Sequence, residues 1–330
     1  MKERFAKISA TGHYLPSLRM TNEEASKKIG VQLDPWLSTT TGITVRHISA
    51  PNETTSDLAA AAAREALDRS HLKVEDIDLL LLATDTPDYI SPPTTCVIHQ
   101  KLGMKKKTGA FDINAACADP SIALDLAARY IMTDESINRV LCTSAYTMTK
   151  YLDWKDSMSA LFSDGAGAVI VERSEEPGFL SSKIIADGNY QDYWGIYAGA
   201  SYERPTVEAI QAGRTNLKLL KRYPPDVNIA NWPDIIKEAL GKANMTVDDV
   251  DMFLFTQVNL SMIKATMNVL GQPIEKTHWI MDKWGYTGSS CVYLALHDAL
   301  EQGKIKKGDN VVFCTSGVGY VMAADVFHWT

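Results

Sequence analysis

Cys117 is the residue of this chain whose type and setting most directly permit chemistry. It lies in the segment DINAACADPS, from Asp112 to Ser121, between a short apolar run and a long helical pattern, SIALDLAARYIM. A cysteine at the start of a helix feels the positive end of the helix dipole, which favours its thiolate. A small buried cysteine also suits such a junction. The residues alone leave both interpretations open, a nucleophile and a packed core residue.

A second candidate element is the glycine-containing turn in the tail, CTSGVGYVMAADVFHW. The pattern predicts a strand, a turn and a second strand. Such a turn can aim backbone N–H groups at a developing oxyanion, and an ordinary tight turn fits the spacing equally well. The segment FSDGAGAVIVE, by contrast, lacks both the G-x-G-x-x-G pattern and the P-loop lysine, so we expect a turn that enters a strand.

The elements that must position these residues occur twice. Val74 to Leu81 reads VEDIDLLL and Val247 to Leu254 reads VDDVDMFL, each after a helical pattern. VLCTSA, which contains Cys142, recurs as VFCTSG, which contains Cys314, at nearly the same offset. Continuous apolar strands of this kind are typical of a sheet buried on both faces. We therefore predict a duplicated α/β protein in which Cys142 and Cys314 are core residues.

The duplication predicts two halves, residues 1–175 with Cys117 and residues 176–330. Between the repeats, residues 188–216 are rich in Gly, Tyr and polar residues and show no clear period. We interpret this stretch as an irregular insertion, a lid or a channel wall.

Composition excludes several classes of protein. The chain has 330 residues, 45% of them hydrophobic, and a net charge of −7, which gives no electrostatic footprint for nucleic acid or an anionic membrane. Its five cysteines include no C-x-x-C pair, which argues against a disulfide framework and a zinc site, and we expect no metal. No apolar run approaches the ~20 residues of a membrane span, and the first residues lack a signal-peptide core. We expect a cytoplasmic protein with reduced thiols.

The order of motifs resembles a known family. TGITVRHIS, VEDIDLLLLATDTPDYISPPTTCVIHQKLG, FDINAACADPSIAL, LFSDGAGAVIVE, KWGYTGSSCVYLAL and GVGYVMAA are similar to the β-ketoacyl-acyl carrier protein synthase III group of the thiolase superfamily, over nearly the whole chain. The resemblance implies a thiolase-like fold, a duplicated βαβαβ core in five α-β-α-β-α layers. The internal repeat supports that expectation independently.

The resemblance also implies roles for individual residues. In that family the cysteine after AAC takes an acyl group from a coenzyme A or carrier-protein thioester, and Cys117 matches it. Val318 matches the middle residue of the family's Gly-Gly-Gly oxyanion element, which supplies a backbone N–H. No cofactor is expected, because the thioester of coenzyme A or of carrier-protein phosphopantetheine is the substrate.

The other two members of the family's catalytic trio are replaced. The family's HQAN reads TQVN here, from Thr256 to Asn259, and its GNTS reads GYTG, so Thr256 stands at the histidine position and Tyr286 at the asparagine position. Losing an oxyanion donor costs ~10² to 10³ in rate, so the usual malonyl decarboxylation is not favoured. The hydroxyls of Thr256 and Tyr286 and the amide of Gln257 remain as candidate donors. His278, eight residues before Tyr286 on a predicted strand, either points toward the pocket or is packed.

The groove that binds the thioester donor in the family also differs in this sequence. Trp36 matches the tryptophan that stacks on adenine in the family, while Thr40 and Asp156 replace its flanking arginines, which favours a carrier-protein donor over coenzyme A. The family's carrier-docking arginine matches Ser261, with Lys264 one turn on. The resemblance further assigns substrate-binding positions at five other residues, Gln257, Asn259, Ser91, Leu161 and Phe162. Of these, Ser91 would line the acyl pocket of a partner in a homodimer formed through the strand beside VLCTSA.

Two functions fit these observations. The first is an acyltransferase or condensing enzyme of fatty acid or polyketide biosynthesis, in which Cys117 carries an acyl group to an alcohol, amine, thiol or carbon nucleophile. The second is a catalytically impaired subunit that pairs with an active paralogue. The retained cysteine, the oxyanion turn and Trp36 favour the first, and the missing histidine and asparagine favour the second.

Overall fold

Strands and helices alternate along the chain in the computed structural model, which describes residues 3–330. The strands are β1 Phe5–Tyr14, β2 Leu18–Thr21, β3 Val45–Ile48, β4 Leu79–Ala83, β5 Gly109–Ile113, β6 Arg139–Tyr146, β7 Gly165–Ser174, β8 Phe179–Ala186, β9 Trp194–Gly195, β10 Lys218–Leu219, β11 Met252–Phe255, β12 Asn310–Gly317 and β13 Val321–His328. The α-helices are α1 Asn22–Ile29, α2 Thr55–Ser70, α3 Thr94–Leu102, α4 Asp119–Thr133, α5 Val207–Gln211, α6 Val227–Lys242, α7 Leu260–Leu270, α8 Met281–Trp284 and α9 Cys291–Glu301.

Two sheets form the centre of the molecule, each built from one part of the chain. The first has the order β1-β7-β6-β4-β5 and uses strands that end by Ser174; the second has the order β11-β12-β13-β8 and begins at Phe179. The first sheet has three parallel strands, β5, β4 and β6, and the second has two, β11 and β12; in each sheet the remaining strands are antiparallel. β2 pairs with β3 and β9 with β10 in two small additional ribbons.

Helices cover both sheets and separate them. α2 and α3 pack on the outer face of the first sheet, α6 and α7 lie on the far side of the second, and α4 and α9 lie between the two. Because both faces of each sheet are covered, central strands such as β4 are apolar and buried at every position. This order of layers, α-β-α-β-α, confirms the predicted thiolase-like α/β fold.

The internal repeat is visible in strand pairing. Leu81 of β4 pairs with Cys142 of β6, and Phe255 of β11 pairs with Cys314 of β12, both in parallel. A short 3₁₀ turn with the acidic residues of the repeat precedes β4 and β11 alike. Cys142 and Cys314 are fully buried, as predicted.

Local sequence accounts for α4, the helix that follows the turn with Cys117. Pro120 lies in the first turn of α4, where its missing N–H costs nothing, and small residues such as Ala123 and Ala127 let the helix lie close to the sheets. The helix begins at Asp119, two residues after Cys117. FSDGAGAVIVE does enter a strand, β7.

The fold differs from expectation in two places. His278 is not on a strand, since the second-half counterpart of β5 is reduced to a single bridge between Thr277 and Phe253. The strands beside β6 are β4 and β7, and both are paired on each side, so neither offers an edge to another subunit. The edge of the first sheet nearest Cys117 is β5 instead.

No helix among residues 3–330 combines the length and apolar character needed to cross a membrane.

Candidate active site

Cys117 lies in the turn between β5 and α4, at the carboxyl edge of the first sheet. Ala116 before it has a φ of 47°, a left-handed conformation that alanine rarely adopts, and such strain is concentrated at functional turns. The end of β12 approaches this turn so closely that a Cβ on Gly317 would lie 2.2 Å from the Ala115 carbonyl oxygen. Cys117 is 5% exposed, and that small surface faces a cavity.

The helix end does not produce a thiolate in the unliganded protein. The pKa of the Cys117 thiol is raised well above its ordinary value, first by burial and then by the charge of Asp85. α4 has no side-chain cap, and the carboxyl group of Asp119 occupies its first turn. The positive helix end therefore faces an acid as well as the thiol.

Tyr286 is the residue that contacts the sulfur. Its hydroxyl donates to Cys117 Sγ across 2.7 Å, and this hydrogen bond opposes the upward shift of the thiol pKa. The Tyr286 hydroxyl is itself buried, and its own pKa is raised well above the ordinary value by burial. Tyr286 is thus a hydrogen-bond donor to sulfur at neutral pH.

The chain around Tyr286 is fixed by its neighbours. Its N–H donates to the Leu161 carbonyl at 3.2 Å, and its carbonyl accepts from the N–H of Ser163 at 2.8 Å. The rings of Phe162 and Tyr286 have their centroids 5.8 Å apart. Gly285 has a φ of 70°, and a side chain at this position would place its Cβ 2.8 Å from Ser163 Cβ, so glycine is the residue that fits. Leu161 and Phe162 are therefore buried supports of Tyr286, and neither lines the cavity.

Thr256 borders the cavity, but its hydroxyl is engaged in the second sheet. Thr256 Oγ1 accepts from the Ser316 N–H at 2.9 Å and lies 3.5 Å from the Ser316 carbonyl oxygen. This hydroxyl ties the end of β11 to β12, and it has no base character near neutral pH.

Gln257 was expected to contact substrate, and the structure places it elsewhere. Its amide donates to the His278 carbonyl at 2.8 Å and accepts from the Ile280 N–H at 2.8 Å. The side chain is fully buried and does not line the cavity. The reason is that the chain after the Thr277 bridge has lost its strand partner, and Gln257 supplies the hydrogen bonds that a strand would have made.

His278 is packed, the second of the two alternatives for this residue. Its Nε2 lies 2.6 Å from an Asp298 oxygen and its Nδ1 lies 3.0 Å from Lys304 Nζ. It borders a separate groove, with Trp279 and Lys283, and not the Cys117 cavity.

Val318 occupies the turn between β12 and β13, and it lines the cavity with Gly317 and Tyr320. Gly319 and Tyr320 have φ values of 76° and 64°, which reverse the chain and bring the turn over the cavity. The N–H of Gly319 donates to the Tyr223 hydroxyl at 3.3 Å. The turn is thus braced by an aromatic residue that follows the insertion.

The cavity in front of Cys117 has a volume of about 900 Å³, enough for an acyl chain with part of a pantetheine arm. Its wall is largely aromatic and apolar. Trp194 comes from the irregular insertion, and Leu219 comes from β10, which follows it. The insertion thus contributes Trp194 to the cavity wall. Asn259 caps α7 through its Oδ1, which accepts from the N–H of Ser261 at 2.9 Å, and it also borders the cavity.

The mouth of the cavity combines one expected and one unexpected residue. Trp36 is 40% exposed and lines the cavity together with Asp156, while Thr40 does not line it. Arg222 adds a cation at the mouth. The family motifs did not predict it, because Arg222 follows the irregular stretch where the resemblance is weakest. The basic run LKLLKR, residues 217–222, was the sequence feature that could have indicated this cation.

Ser91 lies outside this cavity, on an exposed loop. Its neighbours Tyr89 and Ile90 are 55% and 79% exposed. In a single chain Ser91 does not line the Cys117 cavity.

A different group of side chains could surround a cation. Within residues 3–330, His13, Glu65 and His297 place ligand atoms within 4.8 Å of one another. They are already engaged, His13 Nδ1 with Glu65 at 2.8 Å and His297 Nδ1 with Thr11 at 3.0 Å. None of them lines the Cys117 cavity.

Two acids close to the Cys117 turn, the half-buried Asp85 and the fully buried Asp119, were not anticipated. Asp85 follows β4 and Asp119 begins α4, and each has a buried carboxylate oxygen without a hydrogen-bond partner. Burial raises the pKa of Asp85 to about 6 and, together with the charge of Asp85, raises that of Asp119 well above its ordinary value. The sequence signal was present in the motif itself, as the acid two residues after the cysteine in AACADPS.

Comparison with known proteins agrees with this geometry. Two family models, 3-oxoacyl-[acyl-carrier-protein] synthase III and its C-terminal part, match residues 111–188 and 240–329. The β-ketoacyl-[acyl-carrier-protein] synthase III of Alkalilimnicola ehrlichii is 35% identical over 328 residues, which are 98% of this chain and 99% of that protein.

Solved structures give the same result. The 3-oxoacyl-[acyl-carrier-protein] synthase III of Aquifex aeolicus is 32% identical, with a TM-score of 0.88 over 98% of this chain and 100% of the other. A priming β-ketosynthase from a polyketide biosynthetic pathway is 29% identical, with a TM-score of 0.89 over 99% of this chain and 97% of the other.

Proposed function

The chain belongs to the 3-oxoacyl-[acyl-carrier-protein] synthase III family of the thiolase superfamily, a family of acyl-transferring enzymes, and from that premise we propose that Cys117 forms an acyl-enzyme. In the proposed reaction the sulfur takes an acyl group from a thioester and passes it to an acceptor. The observation that carries the proposal is the single exposed edge of Cys117, which faces a cavity of about 900 Å³ while Tyr286 donates a hydrogen bond to the sulfur.

Tyr286 supports the attack by holding the sulfur. A hydrogen bond from a neutral hydroxyl to a developing thiolate favours the charged form. As the carbonyl carbon bonds to Sγ, its oxygen gains negative charge, and the backbone N–H of Val318, at the turn over the cavity, is the proposed donor to it. These two donors come from the second half of the chain and the nucleophile from the first, so the duplicated fold assembles the site.

The acyl donor is proposed to be a carrier-protein thioester or a coenzyme A thioester that enters past Trp36. The indole is exposed at the mouth and available for stacking on an adenine. Arg222 offers a cation for a phosphate group, while Asp156 opposes it. The balance favours an arm with few phosphates, which is the carrier-bound phosphopantetheine.

A homodimer is proposed to complete the acyl pocket. The free edge of β5, next to the Cys117 turn, is the strand that can pair with a second copy. The exposed loop with Tyr89, Ile90 and Ser91 follows β4 at the same end of the sheet, where it would reach the partner. Light scattering on the purified chain measures this directly, and a mass of one chain would contradict it.

The second candidate function is an impaired subunit that pairs with an active paralogue. It is favoured because the polar side chains at and beside the family's histidine position are engaged within the protein. The Thr256 hydroxyl is hydrogen-bonded to Ser316, and Gln257 is hydrogen-bonded to two backbone groups. A subunit of this kind would bind partner protein but would not retain an acyl group.

Intact-mass spectrometry separates the two functions. The full chain is incubated with acetyl-coenzyme A and with an octanoyl-carrier protein, and the mass of the protein is recorded. We expect one acyl adduct that is lost in Cys117→Ala and kept in Cys96→Ala, which removes the exposed thiol. No adduct with either donor would favour the impaired subunit.

A further inference from the structure

Three side chains from three elements converge where α9 packs on β1. His13 lies on β1, Glu65 on α2 and His297 on α9, and a ligand atom of each lies within 4.8 Å of the others. β1 and α2 belong to the first half of the chain, and α9 belongs to the second. None of the three residues lines the Cys117 cavity, so the acyl-transfer site does not account for their arrangement.

Glu65 is held in place through one of its two carboxylate oxygens. Oε2 accepts from the His13 backbone N–H at 2.6 Å and lies 2.8 Å from His13 Nδ1. Oε1 makes no hydrogen bond within residues 3–330. It lies 3.9 Å from Arg69 Nη1 and 4.0 Å from His297 Nε2. The carboxylate is therefore fixed by Oε2, while the lone pairs of Oε1 remain available.

His297 turns one ring nitrogen toward this oxygen. The residue is buried, and its Nδ1 lies 3.0 Å from Thr11 Oγ1. Metal-binding histidines usually hydrogen-bond through one ring nitrogen and coordinate through the other. When Nδ1 donates to Thr11, the unprotonated Nε2 faces Glu65 Oε1, and two lone-pair atoms meet with no proton between them. A cation at this position satisfies both atoms.

The distances suit an ion of the size of Zn²⁺. With Zn–N and Zn–O bonds of ~2.1 Å, two atoms bound to one tetrahedral ion lie ~3.4 Å apart. His297 Nε2 and Glu65 Oε1 are 4.0 Å apart, so a closure of roughly half an ångström brings both to bonding distance. His13 Nδ1 becomes the third ligand when its proton moves to Nε2. The side chains of His13 and Glu65 are about a third exposed, which gives the ion a route of entry.

The charge around the cluster is compatible with a divalent cation. Arg69 pairs with Glu65 and with Glu301, so these three groups sum to one negative charge. The rings of His13 and His297 stack with their centroids 4.3 Å apart. Two stacked imidazolium ions would repel each other, so the arrangement suits neutral rings, which is the form that binds metal.

We propose that His13, Glu65 and His297 bind a divalent transition-metal ion. Zn²⁺ is the best match, because it accepts two histidines and one glutamate and keeps water as a fourth ligand. The cysteine spacing that argues against a zinc site does not bear on these three residues, which are far apart in the sequence.

The ion has a structural role in this proposal. It joins α9 of the second half to β1 and α2 of the first. The ring of Trp284, which lies two residues before Tyr286, stacks on His13 with the centroids 5.8 Å apart. The ion thereby steadies the segment that carries Tyr286, and no step of acyl transfer passes through it.

The first test counts bound metal on the full, untagged chain. Cys96→Ala and Cys117→Ala are combined as the background, so that neither the exposed thiol nor the thiol facing the cavity binds metal. The protein is stripped with a chelator, incubated with Zn²⁺, freed of excess ion by gel filtration and analysed by inductively coupled plasma mass spectrometry. We expect one Zn²⁺ per chain.

Glu65→Gln and His297→Ala each remove a ligand and should weaken Zn²⁺ binding by more than the roughly 10- to 100-fold that loss of an outer partner costs. His99→Ala is the matched control, because His99 is a histidine of α3 that hydrogen-bonds the Lys105 carbonyl. This variant should bind Zn²⁺ as the background protein does.

A second measurement keeps the proposal testable if His297→Ala fails to fold, since His13→Gln changes a partly exposed residue instead. Saturating Zn²⁺ should raise the melting temperature by several degrees and Mg²⁺ should not, because an ion that binds the folded state stabilises it. The rise should be lost in His13→Gln. No retained Zn²⁺ in the background protein, equal retention in Glu65→Gln, or an equal thermal shift with Mg²⁺ would overturn the site.

Discussion

The hydroxyl of Tyr286 donates a hydrogen bond to Cys117 Sγ across 2.7 Å, joining the two halves of the duplicated chain at one sulfur. Tyr286 stands where the resemblance places an asparagine. Its ring fills the space between Phe162 and Tyr146, with centroids 5.8 Å and 6.5 Å away. The tyrosine side chain, which is larger than that of asparagine, thus reaches the sulfur of Cys117.

Tyr286→Phe removes this hydrogen bond and keeps the ring. Because the bond lowers the pKa of the thiol, we expect the Cys117 pKa to rise further and acylation to slow by roughly 10- to 100-fold, the range for a hydrogen bond to a charged group. The pH dependence of alkylation by iodoacetamide, read on the Cys117 peptide, measures this shift. An unchanged profile would show that the bond has no effect on the thiol.

Asp85→Asn should stabilise the protein at neutral pH. The pKa of Asp85 in the folded state, about 6, lies above its ordinary value of 3.8. The folded protein therefore binds more protons than the unfolded chain between these values, and stability due to this group is lost as pH rises through about 6.

A shift of this size corresponds to at most roughly 3 kcal/mol. We expect the free energy of unfolding of Asp85→Asn to exceed that of wild type by up to this amount at neutral pH. The difference should disappear below the ordinary value of 3.8. Urea denaturation at both pH values checks the sign. The control is Asp88→Asn, three residues away on the same loop, and a variant less stable than wild type at neutral pH, with this control unchanged, would contradict it.

Gln257→Leu separates a structural role from substrate binding. The substitution leaves the buried His278 carbonyl and Ile280 N–H without their partners, at a cost of about 1 to 3 kcal/mol for each group. We expect a lower melting temperature and an unchanged KM for the acyl donor. A raised KM with unchanged stability would restore Gln257 to the substrate site.

Arg222→Ala tests the missed cation at the cavity mouth. We expect the KM for acetyl-coenzyme A to rise roughly 3- to 10-fold, because an exposed ion pair contributes about 1 kcal/mol, and the rise should shrink in high salt. Lys221→Ala is the control, since this neighbouring lysine pairs with Asp192 and does not line the cavity. Equal effects of the two variants would indicate a general charge effect only.

The sequence was sufficient for features that depend on local pattern. The repeat of VEDIDLLL as VDDVDMFL predicted equivalent strands, and the parallel pairing of β4 with β6 and of β11 with β12 confirms it. The residues around Cys117 predicted a strand, a turn and a helix in the right order.

Pairings between distant segments could not be read from one sequence. Nothing local in GYTG shows that Tyr286 reaches Cys117, because that contact spans 169 positions and depends on how the two halves pack. Gln257 was misassigned for the same reason, since its partners follow a bridge that replaces an expected strand. The helix end at Cys117 favours the thiolate, but burial and nearby acids, which depend on the packing of distant segments, raise the pKa of the thiol.

The central claim is that Cys117 is acylated, and peptide-level mass spectrometry after a single incubation with octanoyl-carrier protein tests it most directly. The account predicts an octanoyl group on the peptide that contains Cys117 and none on the peptide with Cys96, the exposed cysteine. An unmodified Cys117 peptide in a folded, dimeric protein, or an acyl group on Cys96 alone, would contradict it.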